Sequence, residues 1–362
     1  MADFLHTSGT KILNENNEQV FLRGVGMGNQ VWETENVPLN HHSEIDYERI
    51  KDMGMNAVRF YINLGTLQED VSPFNNKVEG EGWKWLDQNI AWAKKYDIYL
   101  ILNLHIVPGG FQSMGDGDAL WKDAVFQQKI TSFWKKVAKK YKNKSQIAGF
   151  GLLNEPVPTD SIAQWQSFAQ HLVDEIRKID KNHIVFVERC REIKGNPEED
   201  INLNFPLLKG DNLVYEFHTF QPYGYTHQLL EWAGLGDKGS YPDLTITQYI
   251  NELNGANITQ QTAYKRDKSY LKAVIERFVK WGSTHEVPLY MGEFGSCIPS
   301  FKNGKGGLEW VRDMLTIAHK NNLSYTYHAY HEDSYGLYYG AKHLPAPEAS
   351  NKELIDLFKS VL

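Results

Sequence analysis

The stretch IAGFGLLNEP, residues 147–156, is an unbroken apolar run that stops on an amide, a carboxylate and a proline. A strand with one wet face alternates apolar and polar residues. A continuous run instead fits a strand covered on both faces, as in a parallel sheet. A second such run, PLYMGEFG at residues 288–295, also carries a carboxylate toward its end, although it lies far away in the chain. Two buried strands with glutamate near their ends suggest a pair of carboxylates brought together by the fold.

Six further runs share this character: VFLRGVGM (20–27), NAVRFYIN (56–63), IYLILNLHIV (98–107), HIVFVE (183–188), NLVYEFH (212–218) and LSYTYHAY (323–330). Between most of them lie amphipathic helical patterns, at 43–54, 82–97, 126–142, 161–180, 269–285 and 308–322, with a last one closing the chain at 351–362. Ser43, placed just ahead of Glu44 and Asp46, reads as the N-cap of the first. Eight strands separated by helices predict an α/β fold of the (β/α)8 TIM-barrel class. The competing doubly wound sheet needs a glycine-rich phosphate turn after its first strand. GVGMGN (24–29) lacks that spacing and runs into a long polar loop.

Ahead of the first strand, two β-rich pieces around the turn-like NENNE (14–18) predict a hairpin. No linker or composition shift divides the chain, so residues 1–362 are expected to form a single catalytic domain. One long irregular loop is expected after the sixth strand, from about Gln221 to Ala263, where a lid or cleft wall would be placed.

Composition narrows the function. A formal net charge of −7 gives no general attraction to nucleic acid or anionic lipid, and neither is expected as a partner. The two cysteines, Cys190 and Cys297, form no metal or redox pair and read as small packed side chains. No run approaches the roughly 18 apolar residues of a membrane span. The N-terminus has no basic segment followed by an apolar one. The expected location is outside the cell, as a mature chain without its signal peptide, with the cytoplasm as the alternative.

Polar residues recur toward the C-terminal ends of the strands: Arg59 on the second, His105 on the third, Asn154 and Glu155 on the fourth, His218 on the sixth, Glu293 on the seventh. Each alone reads as a capped strand end. Together they would cost too much as buried unpaired groups, and in a barrel these ends converge on one face. Two glutamates with this company suit glycosidic bond cleavage, which needs one carboxylic acid and one carboxylate. Metal-dependent hydrolysis is the competing chemistry, but it normally shows closer ligand spacing. The loop pair His41-His42 reads as solvated, and no metal or cofactor is expected.

The order Arg, His, Asn-Glu-Pro, His and Gly-Glu-Phe-Gly on these strands resembles glycoside hydrolase family 5, the cellulase family, over nearly the whole chain. LLNEP and GEFG are the specific signals, and LRGV is weaker support. The resemblance implies a retaining barrel enzyme with Glu155 as general acid/base and Glu293 as nucleophile. It also implies Asn154 at the sugar 2-hydroxyl, Arg59 supporting the nucleophile, and His105 and His218 around the reacting sugar. The substrate it implies is a β-linked polysaccharide, most commonly β-1,4-glucan cut internally by a monomer. The alternatives are β-mannan, xyloglucan, exo-acting β-glucosidase action, or a barrel that only binds carbohydrate. Two positions depart from the family pattern. Phe220 stands where a tyrosine usually bonds the nucleophile, so Tyr223 is a candidate replacement. His328 stands where a tryptophan usually underlies the sugar; either it contacts sugar or it is a core histidine with Tyr330 as the platform. Trp32 and Trp232, with Phe111, Trp121 and Tyr241, fall in or beside the loops and are further candidate sugar platforms.

Overall fold

The computed structural model describes residues 4–30, 41–67, 81–191, 200–254, 257–340 and 343–362. Two short strands, β1 (His6–Ser8) and β2 (Lys11–Leu13), lead into β3 (Arg23–Gly28), β4 (Ala57–Asn63), β5 (Tyr99–Ile106), β6 (Ile147–Gly151), β7 (Ile184–Glu188) and β8 (Leu213–His218). After a hairpin of β9 (Asp243–Asn254) and β10 (Asn257–Arg266) come β11 (Leu289–Phe294) and β12 (Ser324–Tyr327). Strands β3 to β8, β11 and β12 pair in parallel and close into an eight-stranded barrel, with β12 hydrogen-bonded back to β3. The expected TIM barrel is the observed fold.

The crossovers are carried by α1 (Glu44–Asp52), α3 (Glu81–Lys95), α5 (Ala124–Tyr141), α6 (Ile162–Arg177), α8 (Lys268–Thr284) and α9 (Gly307–Lys320), and α10 (Lys352–Val361) follows the last strand. Short α2 (Leu64–Leu67), α4 (Asp118–Lys122) and α7 (Tyr223–Thr226) are built into the connections. Ser43 does start α1: its backbone N–H donates to Asp46 Oδ2 at 2.8 Å. Every residue of β4, β6, β7, β8, β11 and β12 is buried, which is the physical meaning of their continuous apolar sequence.

Inside the barrel the two-residue period of each strand stacks side chains in layers. At the N-terminal end, Leu5, Ile12 and Leu22 join Ala57, Ile101, Val214 and Tyr290 in one apolar cluster, so the N-terminal segment plugs the barrel. One step up come Arg59, Asn103 and Glu216, and above these Tyr61, His105 and His218. A polar floor therefore lies on an apolar plug.

Two expectations need correction. The hairpin turns at Gly9-Thr10, pairing Ser8 with Lys11, whereas NENNE makes a second turn closed by a bridge from Leu13 to Gln19. Glycine at φ +52° makes the earlier turn possible. The segment from Gln221 to Ala263 is not one irregular loop. It contains α7, a 3-10 turn at Glu231–Ala233, and most of the antiparallel β9–β10 hairpin, which runs on to Arg266. Its strands are largely exposed and polar, so neither an apolar run nor a clean alternation announces them.

Gly292 on β11 faces the polar floor, where a Cβ would fall 1.8 Å from Glu216 Oε1. Gly292→Ala should therefore lower unfolding stability by about 1–3 kcal/mol and reduce turnover further by moving Glu216 off Arg59. Urea denaturation with an unchanged midpoint would mean that this layer has room to spare.

Candidate active site

Arg59 is completely buried at the centre of the floor. Its Nη1 donates to Glu293 Oε1 at 2.6 Å and its Nη2 to Asn154 Oδ1 at 2.9 Å. Its Nε lies 2.7 Å from Glu216 Oε1, and Glu188 Oε2 is 3.5 Å from Nη2. One guanidinium thus fixes side chains from four other strands or strand ends. Glu293 sits where the register of β11 against β8 shifts, between Met291 and Glu293. An irregularity of that kind re-aims a side chain at a barrel mouth.

Asn154 and Glu155 lie beyond the end of β6, which stops at Gly151, rather than within the strand. Glu155 takes φ +44°, an uncommon conformation for a side-chain-bearing residue. Its backbone N–H donates to Glu188 Oε2 at 3.0 Å, and Asn154 N–H donates to the Leu104 carbonyl. The turn aims the Glu155 carboxylate at Arg191, whose Nη1 donates to Oε2 at 2.5 Å, and at His218, whose Nδ1 lies 3.0 Å from Oε1.

His218 is surrounded by carboxyls. Its Nδ1 is 3.3 Å from Glu188 Oε1 and 3.8 Å from Glu293 Oε2, and its Nε2 is 3.2 Å from Glu216 Oε1. Burial alone would lower its pKa, but Glu188 and Glu293 outweigh it and raise the imidazole to about 10. Burial opposes ionisation of Glu155 as well, yet Arg191 and His218 hold its carboxyl well below the usual range. For Glu188 burial wins and pushes the carboxyl up to about 8. Glu155, Glu188 and His218 present ligand atoms within 4.8 Å of one another. A divalent cation there would meet Arg59, Arg191 and a protonated His218, so this cluster is suited to proton and sugar chemistry rather than to metal.

His328 is buried and has partners on both nitrogens: Tyr61 Oη lies 2.9 Å from Nδ1 and Glu332 Oε2 lies 3.1 Å from Nε2. Its Nδ1 is also 3.6 Å from Glu293 Oε2. Tyr330 is no platform, being fully buried with its hydroxyl donating to Asp46 Oδ1. Tyr223 lines the cleft and stacks on His227 at 3.8 Å, and Phe220 packs against His227, His328 and Tyr335. Trp121 and Tyr241 are core, tied to Gln112 and Asp313, and Phe111 packs on Tyr61 and Ile106. Trp232 is 57% exposed beside the opening. Trp32 lies outside the described residues.

The cleft has two adjoining chambers. The first, about 320 Å³, is lined by His105, Asn154, Glu155, Arg191, His218 and Glu293, among others. The second, about 400 Å³, runs past Tyr61 toward Gly26–Gln30 and His41-His42. Met114, Trp232, His328, Glu332 and Ser334 border both. The structure thus gathers Arg59, His105, Asn154, Glu155, His218 and Glu293 at one mouth, as expected. It adds Tyr61, Glu188, Arg191 and Glu216. Glu216 was legible two residues before His218, on the same strand face, and Glu188 as another strand-terminal carboxylate.

The model of the family described as Cellulase (glycosyl hydrolase family 5) matches residues 13–334. The chain belongs to glycosyl hydrolase family 5 and is a glycoside hydrolase. It is similar to Endoglucanase C of Acetivibrio thermocellus, 24% identical over 315 residues that cover 84% of this chain and 89% of that protein. It is also similar to Cellodextrinase A of Ruminococcus flavefaciens, 23% identical over 291 residues, 79% of this chain and 77% of that one. The crystal structure of endoglucanase Cel5A from Thermotoga maritima superposes with a TM-score of 0.69 at 19% identity, covering 93% of this chain and 96% of that one. This last likeness is one of fold. For a family 5 hydrolase, the carboxyls clustered at this barrel mouth are where glycoside chemistry is expected.

His218 is raised from the usual 6.5 to about 10, so its stabilising contribution is present below pH 6.5 and lost as pH climbs to 10. Glu188, raised from 4.5 to about 8, acts in the same direction, since the folded protein keeps a proton that the unfolded chain releases. The melting temperature should therefore fall between pH 6.5 and 10, and His218→Gln should flatten that slope. Parallel slopes for the two proteins would contradict the assignment.

Proposed function

We propose that the chain is a retaining endo-β-1,4-glucanase, with Glu293 as nucleophile and Glu155 as acid and then base. The observation that carries this reading is the shared contact at His218 Nδ1, 3.0 Å from Glu155 Oε1 and 3.8 Å from Glu293 Oε2. The two oxygens can be no farther apart than the sum of those distances. That limit, just under about 7 Å, admits the roughly 5–5.5 Å of a retaining pair and excludes most of the roughly 6.5–9.5 Å range that admits a water between carboxyls. Endo action is supported by the second chamber, which continues the cleft past Glu293 as a polymer would need, and by the names of the endoglucanase relatives. The exposed Trp232 indole at the junction offers a stacking face for a sugar ring. A polymeric substrate places the protein outside the cell on this reading.

In the first step Glu293, oriented by Arg59, attacks the anomeric carbon while Glu155 protonates the leaving oxygen. In the second, Glu155 takes a proton from water, which attacks the glycosyl-enzyme. The substrate-free protein holds Glu155 in its basic form through Arg191, which suits the second step. The first step requires the leaving oxygen to replace Arg191 beside Glu155.

Product analysis on soluble β-1,4-glucan, xyloglucan, mannan and short cellodextrins tests specificity; mixed oligomers from glucan at early times are expected. Proton NMR of the first-formed products should show the β-anomer. Glu293→Gln should lower kcat at least about 10³-fold. Initial α-anomer, or a Glu293→Gln variant with several per cent of activity, would overturn the mechanism.

Arg191 generates a separate expectation. Its positive charge lowers the pKa of Glu155, so the acid loses its proton early and the alkaline limb of kcat/KM lies low. Arg191→Met should move that limb to higher pH, and Arg191→Lys should restore it toward the original position. A limb unmoved in the methionine variant would show that Glu155 does not set it.

A further inference from the structure

The second chamber ends on three histidines that the carboxylate chemistry does not use. His41 and His42 precede α1, and His331 follows the last barrel strand, so the fold brings together residues about 290 positions apart. They are not the solvated pair that the sequence suggested: all three are buried. One nitrogen from each lies within 4.8 Å of the other two. The rings nest, with His41 stacked on His331 at 4.6 Å and edge-on to His42 at 4.1 Å.

Their hydrogen bonding is lopsided. His331 Nε2 lies 3.2 Å from the Gly340 carbonyl oxygen, an acceptor only, so the ring proton belongs on Nε2. That leaves a bare lone pair on Nδ1, which is buried without a hydrogen-bond partner among the described residues. Among the described residues neither nitrogen of His42 has a hydrogen-bond partner, although only 3% of its surface is exposed. Buried polar atoms are nearly always paired, so two imidazoles with orphaned nitrogens in one cluster call for a missing partner. A ring held by a carbonyl through one nitrogen and open at the other is how proteins orient a metal-binding histidine.

We propose that His41, His42 and His331 form a three-imidazole site for a late first-row divalent cation, zinc foremost, with its open coordination position facing the second chamber. Neutral nitrogen donors suit zinc, copper and nickel and disfavour calcium and magnesium, which take oxygen. Bonds of about 2.0–2.1 Å in a tetrahedral set place ligand nitrogens about 3.3 Å apart, so the three rings close slightly around the ion. The ion ties the segment before α1 to the turn after β12. The same turn carries His328 and Glu332, which border the chamber nearest Glu293. The open position would meet water or a pair of substrate hydroxyls. The site shares no residue with the cluster of Glu155, Glu188 and His218 and is independent of which carboxylate plays which part.

The test uses the full chain without a histidine tag, treated with chelator and dialysed. Calorimetric titration with Zn2+ should saturate at one equivalent and raise the melting temperature. Titration with Co2+ should give the strong visible bands of a four- or five-coordinate nitrogen site, also at one equivalent. His331→Asn keeps an N–H for the Gly340 carbonyl but loses the lone pair, and His42→Phe keeps the ring. Each should weaken Zn2+ binding at least about 100-fold with circular dichroism unchanged. Absence of saturation at one equivalent in the unmodified protein overturns the proposal, as does equal affinity in either folded variant. If neither variant folds, the cobalt spectrum decides: weak octahedral bands reject the site.

Discussion

A single buried cation, Arg59, is the constraint on which the mouth of this barrel depends. A guanidinium with no solvent contact is tolerable only if carboxylates surround it, because the cost of taking it out of water is several kcal/mol before any pairing. Glu216 and Glu293 pair with it directly, Glu188 stands at 3.5 Å, and Asn154 fills a further donor. The planar fork fixes direction as well as distance, which a lysine could not do. Since β4, β7, β8 and β11 all contribute, the same contacts tie four barrel strands together and position the carboxyls at the mouth. The glycine at 292 belongs to this arrangement, for only a missing side chain leaves Glu216 room to reach Nε.

Around that cation, the carboxyls are separated by their neighbours rather than by their own chemistry. Glu155 has Arg191 and His218 and is held as the anion, while for its neighbour Glu188 burial, reinforced by the charges of Glu216 and Glu155, outweighs His218 and Arg59 and pushes the carboxyl up to about 8. Divergent environments for like groups are what acid–base work requires. The direction at Glu155 is the reverse of what the proton-donating step needs, and that gives Arg191 its interest. An acid paired with a movable cation is poised by whatever displaces the cation.

The barrel was legible because its strands are buried on both faces and therefore apolar throughout, while its helices keep a 3.6-residue stripe. Glu155 and Glu293 stood out because each is a carboxylate near the end of such a run, and the fold brings both to one cleft. What escaped has physical causes too. The β9–β10 hairpin scatters apolar residues such as Leu244, Tyr249 and Ile258 among polar ones and leaves them exposed, so it shows no clean hydrophobic period. Glu188 and Glu216 sit inside runs already read as strands, and only the alternation Val214, Glu216, His218 betrays that the glutamate points inward. Arg191 follows its strand in an irregular stretch, where spacing carries no information. His41 and His42 look solvated until a residue nearly 290 positions later closes over them.

The two departures from the family pattern belong to one local rearrangement. Phe220 has no hydroxyl to offer Glu293, and its ring instead packs edge-on against His328, 5.9 Å away. His328 in turn is fixed by Tyr61 on one nitrogen and Glu332 on the other, and the fixed ring presents Nδ1 toward Glu293 Oε2 at 3.6 Å. Burial works against its protonation, but Glu293 and Glu332 outweigh that and raise its pKa above the usual value. The place of a tyrosine hydroxyl beside the carboxylate is thus taken from the next strand by an imidazole whose protonation Glu293 and Glu332 favour. With an apolar ring at 220 packed edge-on, the two nitrogens of His328 are left to Tyr61 and Glu332, and that pairing fixes the ring facing Glu293.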